Sequence, residues 1–444
     1  MLFSKKEVNK IVYPLIGQQL LAIAVGIIDS LMVSSAGEAA ISGVGLIGVL
    51  HTLLLYLFSA FCTGGSILLS LSFGEKNVKK SENVTMQLIW SSCGVAVIVT
   101  LISVIFRSPL LNLIYGKTDP VVMKNAKEYF LYLALGYPFL AVSNAGYAIF
   151  RSMGNTKISL NNSIMINVIN IIGNAILIYG FKMGAKGAAI ATSFSWAVSS
   201  VTMMLRLRDR RNLLYIDNIF KWKPDFKMIK NICSVGIPNG IENSMFQFGK
   251  LITQSLIATF AVSQITANSV SSTIVNMQYG IGAAMGASII TIVGRCVGAQ
   301  EKQQAKDYAK KLMKMTYVMT IGVSLFICVF AKPITQMYNL TGETAGETIK
   351  LLVTHSICAA VIWPSAFTLP SVFRAASDVK YTMVISVISM WTFRVLFSYI
   401  LGGYMGMGVL GVWIAMYCDW VFRAGLFIVR YIKGTWLTKY KRDM

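Results

Sequence analysis

A single polar segment divides the chain almost in half: RLRDRRNLLYIDNIFKWKPDFKMIK, residues 206–230, which contains eight lysines and arginines. The rest of the 444-residue chain is strongly apolar, and overall 55% of residues are hydrophobic and only 13% are charged. Soluble domains carry about 25% charged residues, and the mean hydropathy here is +0.63. This composition is typical of a membrane protein and argues against a soluble or a disordered chain.

Apolar stretches lie on both sides of this segment, each has the roughly 20 residues that a helix needs to span a bilayer, and several are longer. We predict six spans in each half, at about 11–35, 41–73, 84–106, 125–150, 158–181, 185–206, 228–261, 264–294, 312–331, 348–373, 381–404 and 408–430. The predicted domains are an N-terminal six-helix lobe (1–207), a cytoplasmic linker (208–227) and a C-terminal six-helix lobe (228–444).

The two halves repeat each other at a nearly constant offset, which is the separation of Pro14 from Pro238. The same offset relates Gly74 to Gly298, Gly187 to Gly411, and Trp196 to Trp420. Because six is an even number, both repeats have the same orientation, and an axis along the membrane normal relates them. We therefore predict an all-α polytopic membrane protein with twelve transmembrane helices in two six-helix repeats around a central cavity.

The basic residues predict the orientation of the chain. With the N-terminus in the cytoplasm, 29 of the 40 lysines and arginines fall on the cytoplasmic side and 8 on the opposite side. This bias follows the positive-inside rule and predicts a multi-pass protein of the cell (inner) membrane with both termini in the cytoplasm. This distribution also accounts for the net charge of +22, so no role in binding nucleic acid is needed to explain it. The remaining three basic residues, Lys250, Arg394 and Arg423, lie within predicted spans.

The sequence offers no constellation that is typical of an enzyme. His51 and His355 are the only histidines, and the seven cysteines show no metal-binding spacing, which argues against a zinc site or a Ser/His/Asp triad. The tripeptide GKT at 116–118 ends like a phosphate-binding loop, but Leu111 stands where that motif needs its first glycine. We predict a protein that is not an enzyme, has no cofactor and draws its energy from an ion gradient.

Six motifs, four in the first half and two in the second, carry a family resemblance. They read PLIGQQLLAIAVGIIDSLMVSSAGEAAISGVG (14–45), NAGYAIFRSMGNTK (144–157), NVINIIGNAILIYG (167–180), GAKGAAIATSFSW (184–196), LPSVFRAASDVKYTM (369–383) and GVLGVWIAMYCDW (408–420). In order, spacing and duplication they resemble the multidrug and toxic compound extrusion (MATE) transporters. The resemblance implies two lobes that open a cavity alternately to each side, and export of amphipathic organic cations by antiport with Na⁺ or H⁺. A flippase for lipid-linked precursors, on the same broad fold, is the alternative.

Asp29 is an acid deep in the first predicted span. A carboxylate at this depth costs about 3 kcal/mol even on lenient scales, so it requires a partner or a function. Its counterpart at the repeat offset is Thr253, and an acid confined to one half favours an ion-linked role. The alternative is a structural carboxylate that hydroxyl and amide groups of neighbouring helices satisfy.

Neutral oxygen donors complete the predicted cation site. Asn170 and Asn174 are four residues apart and therefore share one face of a helix. The resemblance assigns the coupling cation to Asp29, Asn170, Asn174 and Thr192, with Asn144 beside them. Many family members have a carboxylate where this chain has Asn174, so the site here carries one negative charge instead of two. Carboxylate, amide and hydroxyl oxygens suit sodium, and we predict a sodium site while proton coupling stays open.

Substrate contacts are predicted at Gln18 and Gln19 in the first span and at Glu242 and Lys250 in the seventh. Glu242 would attract an organic cation if it faces the cavity; the alternative is a position at the cytoplasmic mouth. The 23 methionines and the 11% aromatic residues suit a permissive cavity for flat cations. The predicted partners are organic cations and the lipid bilayer, and the protein is expected to be a monomer.

Other charges of the predicted spans indicate structural roles. Asp419 and Arg423 are four residues apart on one helix, so we predict that they pair, with Arg394 within reach of Asp419. Arg151 and Arg374 precede short polar loops, and we predict that both are cytoplasmic anchors whose guanidinium groups extend to water.

Overall fold

A computed structural model describes residues 2–116, 118–220 and 222–440 of the chain. These residues form helices joined by short turns, and no β-strand occurs among them. Four of the basic residues counted above, Lys117, Lys221, Lys441 and Arg442, lie outside the described residues. The predicted all-α class is confirmed.

The chain divides into two compact units. One unit comprises Lys5–Ile237, and the other runs from Pro238 to the C-terminus and includes the residues before Lys5. The first unit contains α1 Lys5–Ser34, α2 Glu38–Gly74, α3 Val78–Ile105, α4 Arg107–Tyr115, α5 Pro120–Leu135, α6 Tyr137–Ser152, α7 Thr156–Asn174 and α8 Gly184–Leu207. The division falls within α9, Phe226–Ile257. The second unit continues with α10 Val262–Gly298, α11 Lys302–Met337, α12 Gly342–Val361, α13 Pro370–Ala375, α14 Val379–Ser389 and α15 Gly408–Lys433.

Within the described ranges, nine helices are long and apolar enough to cross a membrane, and two bent helix pairs raise the number to as many as eleven. The bent pairs are α5 with α6, at 50°, and α12 with Pro364–Ala375, at 59°. A proline lies at the start of the second arm of each pair, as expected where a helix changes direction. The predicted seventh span lies on α9, which is not among these candidates, so the count of twelve spans stays a prediction.

Turns between the helices follow from local side-chain chemistry. Asn77, the residue before α3, accepts a hydrogen bond from the backbone N–H of Lys80 at 3.0 Å and caps the helix. Asp119 accepts one from the N–H of Val121 at 2.8 Å, and Pro120 follows it as the first residue of α5. Both arrangements satisfy N–H groups that a helix start leaves without partners.

Helical segments of π type interrupt both units, which the sequence did not predict. One segment, Ala175–Gly180, follows α7 directly. Three more lie in the second unit: Pro364–Thr368 before α13, and Met390–Leu396 and Ser398–Tyr404 after α14. The ends of two of these segments, Gly180 and Tyr404, are matching positions of the two repeats, so the π-helical feature is itself repeated. Wide turns of this kind are frequent at functional sites.

The polar linker is held against α3 within the first unit. The indole nitrogen of Trp90 donates a hydrogen bond to the backbone carbonyl of Ile219 at 2.9 Å. The amide of Asn83 donates to the carboxylate of Asp225 at 2.7 Å. Asp225 also accepts from the backbone N–H of Met228 at the start of α9, and this contact holds the pKa of Asp225 below its ordinary value. The linker thus fixes where α9 begins.

Two glycines allow α2 and α9 to touch through their backbones. A Cβ atom on Gly64 would lie 2.4 Å from the carbonyl oxygen of Ile232, and one on Gly236 would lie 2.5 Å from that of Ala60. Real Cβ atoms do not approach oxygen this closely, so only glycine fits at either position. Small residues at close helix crossings are typical of membrane proteins.

We expect Gly64→Ala to lower the thermal stability of the protein, because the added methyl group forces two backbones apart at a cost of about 1–3 kcal/mol. The measurement is the unfolding midpoint in detergent, followed by intrinsic fluorescence. Gly48→Ala on the same helix is the control, since nothing lies within 4 Å of a Cβ at Gly48. Equal midpoints for the two variants would contradict the close crossing.

Candidate functional site

The structure brings together the four residues assigned to the coupling cation. Asp29 lies on α1, Asn170 and Asn174 lie on α7, and Thr192 lies on α8. The amide nitrogen of Asn174 donates to the Asp29 carboxylate at 2.9 Å, and the amide groups of Asn170 and Asn174 are 3.3 Å apart. The amide of Asn170 is 3.1 Å from the hydroxyl of Thr192. These side chains form one connected polar cage, and the role of the cage in ion binding stays a prediction.

The amide of Asn170 can face the carboxylate with either end, because its oxygen and nitrogen have nearly the same shape. With the nitrogen turned toward Asp29, it donates to Oδ1 at 2.8 Å and to Oδ2 at 3.2 Å, and its oxygen accepts from the Thr192 hydroxyl at 3.1 Å. This orientation satisfies both ends of the Asn170 amide and leaves the carboxylate with amide donors on both sides. A half-turn of the amide presents its oxygen to the cage instead.

Asn174 contributes an oxygen that has no hydrogen-bond partner within the described part of the chain. Its side chain is only 1% exposed. Leaving a buried amide oxygen without a partner costs about 1–3 kcal/mol, so this atom is set up to accept from a ligand or to coordinate a cation.

Small and apolar residues hold the cage in place. A Cβ on Gly173 would lie 3.0 Å from the Cβ of Ala191, so α7 and α8 approach closely beside Asn174 and Thr192. A cluster of Met32, Val33, Ile178 and Ala188 packs the end of α1 against the π-helical segment and α8. Asn174 is the last residue of α7 before that segment. The cage therefore sits at an α-to-π junction between three packed helices.

The donor set suits an alkali cation rather than a transition metal. One carboxylate, two amides and one hydroxyl are hard oxygen donors. Within residues 2–116, 118–220 and 222–440, no group of three or more His, Cys, Asp or Glu side chains could hold a metal ion. Asp29 is half-buried and supplies the single formal charge of the cage.

The remaining predicted residues of the first half do not join the cage. Asn144 on α6 is half-buried, and in the described structure it makes no hydrogen bond to any of the four cage residues. Gln18 and Gln19 are half-buried on α1, about 15 Å along the helix from Asp29 at 1.5 Å per residue. Their predicted roles in ion and substrate binding stay untested.

Glu242 on α9 has a partner that the sequence did not predict. Arg374 on α13 donates to its Oε1 at 2.8 Å, and Ser386 on α14 donates to the same oxygen at 2.7 Å. Arg374 is thus half-buried and forms an ion pair. The prediction that its guanidinium group extends to water is wrong, because that group pairs with the Glu242 carboxylate inside the unit. No local signal in the sequence links two positions so far apart. A substrate role for Glu242 stays a prediction.

The predicted pair of Asp419 and Arg423 is confirmed. Nε of Arg423 donates to Asp419 Oδ1 at 2.7 Å, and both side chains are buried. Arg394 makes no ion pair with Asp419 in the described structure; its guanidinium instead lies 5.2 Å from the centre of the Phe246 ring. Lys250 is exposed on α9, and the prediction that it contacts substrate stays open.

The two histidines are packed among aromatic rings. His51 stacks against Tyr137 and Trp196 at ring-centre distances of 5.7 Å. In the other unit, His355 lies 5.4 Å from Trp413 and 5.3 Å from Trp420, edge to face. Both histidines thus contact a tryptophan of the repeated pair at 196 and 420, and this supports a packing role in each half.

Known proteins match this chain over nearly its whole length and over nearly their own. The uncharacterized transporter YisQ of Bacillus subtilis (strain 168) is 23% identical over 433 residues, which cover 96% of this chain and 94% of YisQ. A probable multidrug resistance protein NorM of Thermotoga maritima is 22% identical over 444 residues, with coverage of 97% and 93%. The solved outward-facing conformation of a multidrug resistance MATE family transporter of the MOP superfamily aligns with a TM-score of 0.90. That alignment has 20% identity and covers 98% of this chain and 97% of the other, which shows a common fold.

The MatE family model matches this chain twice, at residues 14–176 and 238–400. The two matched ranges begin at matching positions of the repeat and also end at matching positions, which confirms the internal repeat. The matches together cover most of the sequence, and the helical membrane fold agrees with them. The chain therefore belongs to the MatE family, the multidrug and toxic compound extrusion transporters that its motifs resemble.

Proposed function

We propose that this protein is a secondary active efflux transporter that exports amphipathic organic cations by antiport with Na⁺, or with H⁺ in its place. One observation carries the proposal: three helices, α1, α7 and α8, bring four polar side chains into one hydrogen-bonded cage, namely Asp29, Asn170, Asn174 and Thr192. The name of the NorM relative, a probable multidrug resistance protein, supports a broad range of exported compounds.

The second unit lacks a copy of this cage in its described part. The counterpart of Asp29 is Thr253, whose hydroxyl donates to the backbone carbonyl of Lys250 on its own helix. The counterpart of Asn174 is Ser398, which donates to the backbone of Arg394. A site built in one repeat alone supports an ion-coupling role, because a purely structural need would arise in both repeats.

The amides of the cage provide a mechanism by which hydrogen bonds to Asp29 are replaced by contacts to a bound cation. Without a cation, amide nitrogens donate to the Asp29 carboxylate and offset its charge. When Na⁺ enters, the Asn170 amide turns so that its oxygen, the Asn174 oxygen and the carboxylate face the ion. Protonation of Asp29 would neutralise the same charge without this turn. The neutral ligands therefore favour sodium in our proposal.

Dye efflux from proteoliposomes tests the proposed function. The purified protein is reconstituted, a fluorescent organic cation is loaded, and either a sodium or a proton gradient is applied alone. We expect efflux under the sodium gradient and little under the proton gradient. The absence of gradient-driven dye movement, together with movement of fluorescent lipid-linked precursors, would favour the flippase alternative instead.

We also propose that the protein resides as a monomer in the cell (inner) membrane with both termini in the cytoplasm. The predicted 29-to-8 distribution of basic residues supports this orientation.

Cysteine labelling in whole cells tests the orientation. We expect Thr341→Cys, before α12, to react with an impermeant maleimide added outside, because this position lies opposite the basic loops. Leu213→Cys, in the linker, should react only after the membrane is permeabilised. Both native positions are exposed, so neither result depends on unfolding. The native protein, whose seven cysteines are buried or half-buried, gives the background. The reverse labelling pattern would overturn the orientation.

A further inference from the structure

The polar linker runs antiparallel along one face of α3. Three side chains of that face are spaced by four and by three residues, and each makes a hydrogen bond to the linker: Asn83 with Asp225, Gln87 with Lys223, and Trp90 with Ile219. Residue numbers in the linker fall as those in α3 rise. Of these three contacts, the one at Ile219 therefore lies farthest along α3, and the chain returns from there to the start of α9.

The contact at Trp90 lies inside the part of α3 that crosses the bilayer. Val78–Ile105 is one of the candidate spans, and roughly 20 residues counted back from its far end bring the boundary of the hydrocarbon core to about residue 86. Trp90 is then about 6 Å past this boundary, at 1.5 Å per residue. Tryptophan is enriched at this depth in membrane proteins. The linker backbone at Ile219 reaches the same depth, because it accepts the hydrogen bond of the Trp90 indole.

Two phenylalanines beside these contacts are exposed at the surface of the protein. Phe220 is 77% exposed and Phe226 is 78% exposed. The Phe220 ring contacts the Trp90 ring edge to face, at a centre distance of 6.3 Å, which places it at the boundary of the hydrocarbon core. Aromatic rings at this depth anchor a protein to the bilayer, since they pack against lipid rather than against water.

Two exposed lysines accompany these rings. Lys223 lies between the two phenylalanines in the sequence, and Lys227 follows the second of them. The acid between the lysines, Asp225, is engaged by two hydrogen bonds within the first unit. The lysine ammonium groups therefore carry the charge of this surface. We define the linker anchor as four exposed residues, Phe220, Lys223, Phe226 and Lys227.

We propose that the linker anchor binds anionic phospholipids of the cytoplasmic leaflet. The two aromatic rings lie among the glycerol groups and the first acyl carbons, and the two lysines bind the phosphate groups. The rings suit any phospholipid, whereas the lysines select an anionic one, because a basic segment is attracted to the negative surface of that leaflet. A soluble polyanion would match the lysines but not the rings at membrane depth. This binding depends neither on the exported compound nor on the coupling ion.

Photolabelling in vesicles tests the linker anchor. The purified full-length protein is reconstituted into phosphatidylcholine vesicles that contain a small fraction of a lipid with a diazirine near its glycerol, either phosphatidylglycerol or phosphatidylcholine. After illumination, labelled peptides are located by mass spectrometry. We expect phosphatidylglycerol to label the peptides that carry Phe220 and Phe226 at least about fivefold more than phosphatidylcholine does, because each lysine near the surface favours an anionic lipid by about this factor.

Matched variants separate the anchor from general surface charge. Lys223→Gln and Lys227→Gln should each lower labelling by phosphatidylglycerol about fivefold and leave labelling by phosphatidylcholine unchanged, whereas Phe220→Ser should lower labelling by both lipids. Lys302→Gln combined with Lys310→Gln removes two exposed charges of α11 on the same predicted side of the membrane, and it should leave the linker labelling unchanged. Equal labelling of the native linker by the two lipids, or an equal loss in this control, would overturn the anchor. The comparison of the two lipids on the native protein decides the question even if a variant fails to fold.

Discussion

We expect the Asp29→Asn variant to fold normally and to lose sodium-driven dye efflux by about a hundredfold or more, because it loses the only formal charge of the cage. Asparagine has the same shape, and its oxygen can still accept the hydrogen bond that Asn174 donates. The folded state therefore keeps its contacts while the attraction for a cation disappears. Efflux from proteoliposomes under a sodium gradient is the measurement, and the unfolding midpoint checks the fold.

Thr253→Val is the control for this variant, since Thr253 occupies the equivalent position in the second repeat. Its hydroxyl donates to the backbone of its own helix, so its removal should cost far less activity. A comparable loss in both variants would contradict an ion-specific role and would indicate that the position is structural in each half.

The second large effect concerns the neutral ligands. We expect Asn170→Ala and Asn174→Ala each to raise the sodium concentration for half-maximal efflux about tenfold, the scale on which loss of a supporting ligand acts. Each variant removes one amide oxygen and leaves Asp29 in place. Efflux rates at a series of sodium concentrations give this value directly.

Asn174→Asp should change the sodium requirement in the opposite direction. A second carboxylate beside Asp29 increases the attraction for a cation, so half-maximal efflux should need less sodium than in the native protein. If both alanine variants keep full activity on a proton gradient without sodium, the neutral ligands have no role. Asp29 would then act alone as a protonation switch.

Much of this architecture was predictable from the chain itself. Length and hydropathy predicted a helical membrane protein, and the constant offset between matching positions predicted the repeat that the matched family ranges confirm. The cage was predictable because a lone acid at membrane depth, Asp29, stands out against an apolar background. The two asparagines were found through their four-residue spacing and through the resemblance to the family. The pair of Asp419 and Arg423 followed from the same spacing rule.

Other features depend on contacts that no local pattern records. Glu242 and Arg374 lie on separate helices, and their pairing appears only once α9 and α13 pack together. The π-helical segments arise from tertiary packing, since their residues read as ordinary apolar helix. The orphaned oxygen of Asn174 is likewise visible only in three dimensions. The contact of Arg394 with the Phe246 ring accompanies the approach of Gly249 to Met390, which links positions far apart in the sequence.

Direct binding of radioactive sodium, ²²Na⁺, to the purified protein tests the central claim most directly. In a scintillation proximity assay without any gradient, we predict saturable binding to the native protein and to Thr253→Val, and none to Asp29→Asn. Asn170→Ala should bind with reduced affinity. Undiminished binding to Asp29→Asn, or no saturable binding to the native protein, would contradict a sodium site built on Asp29.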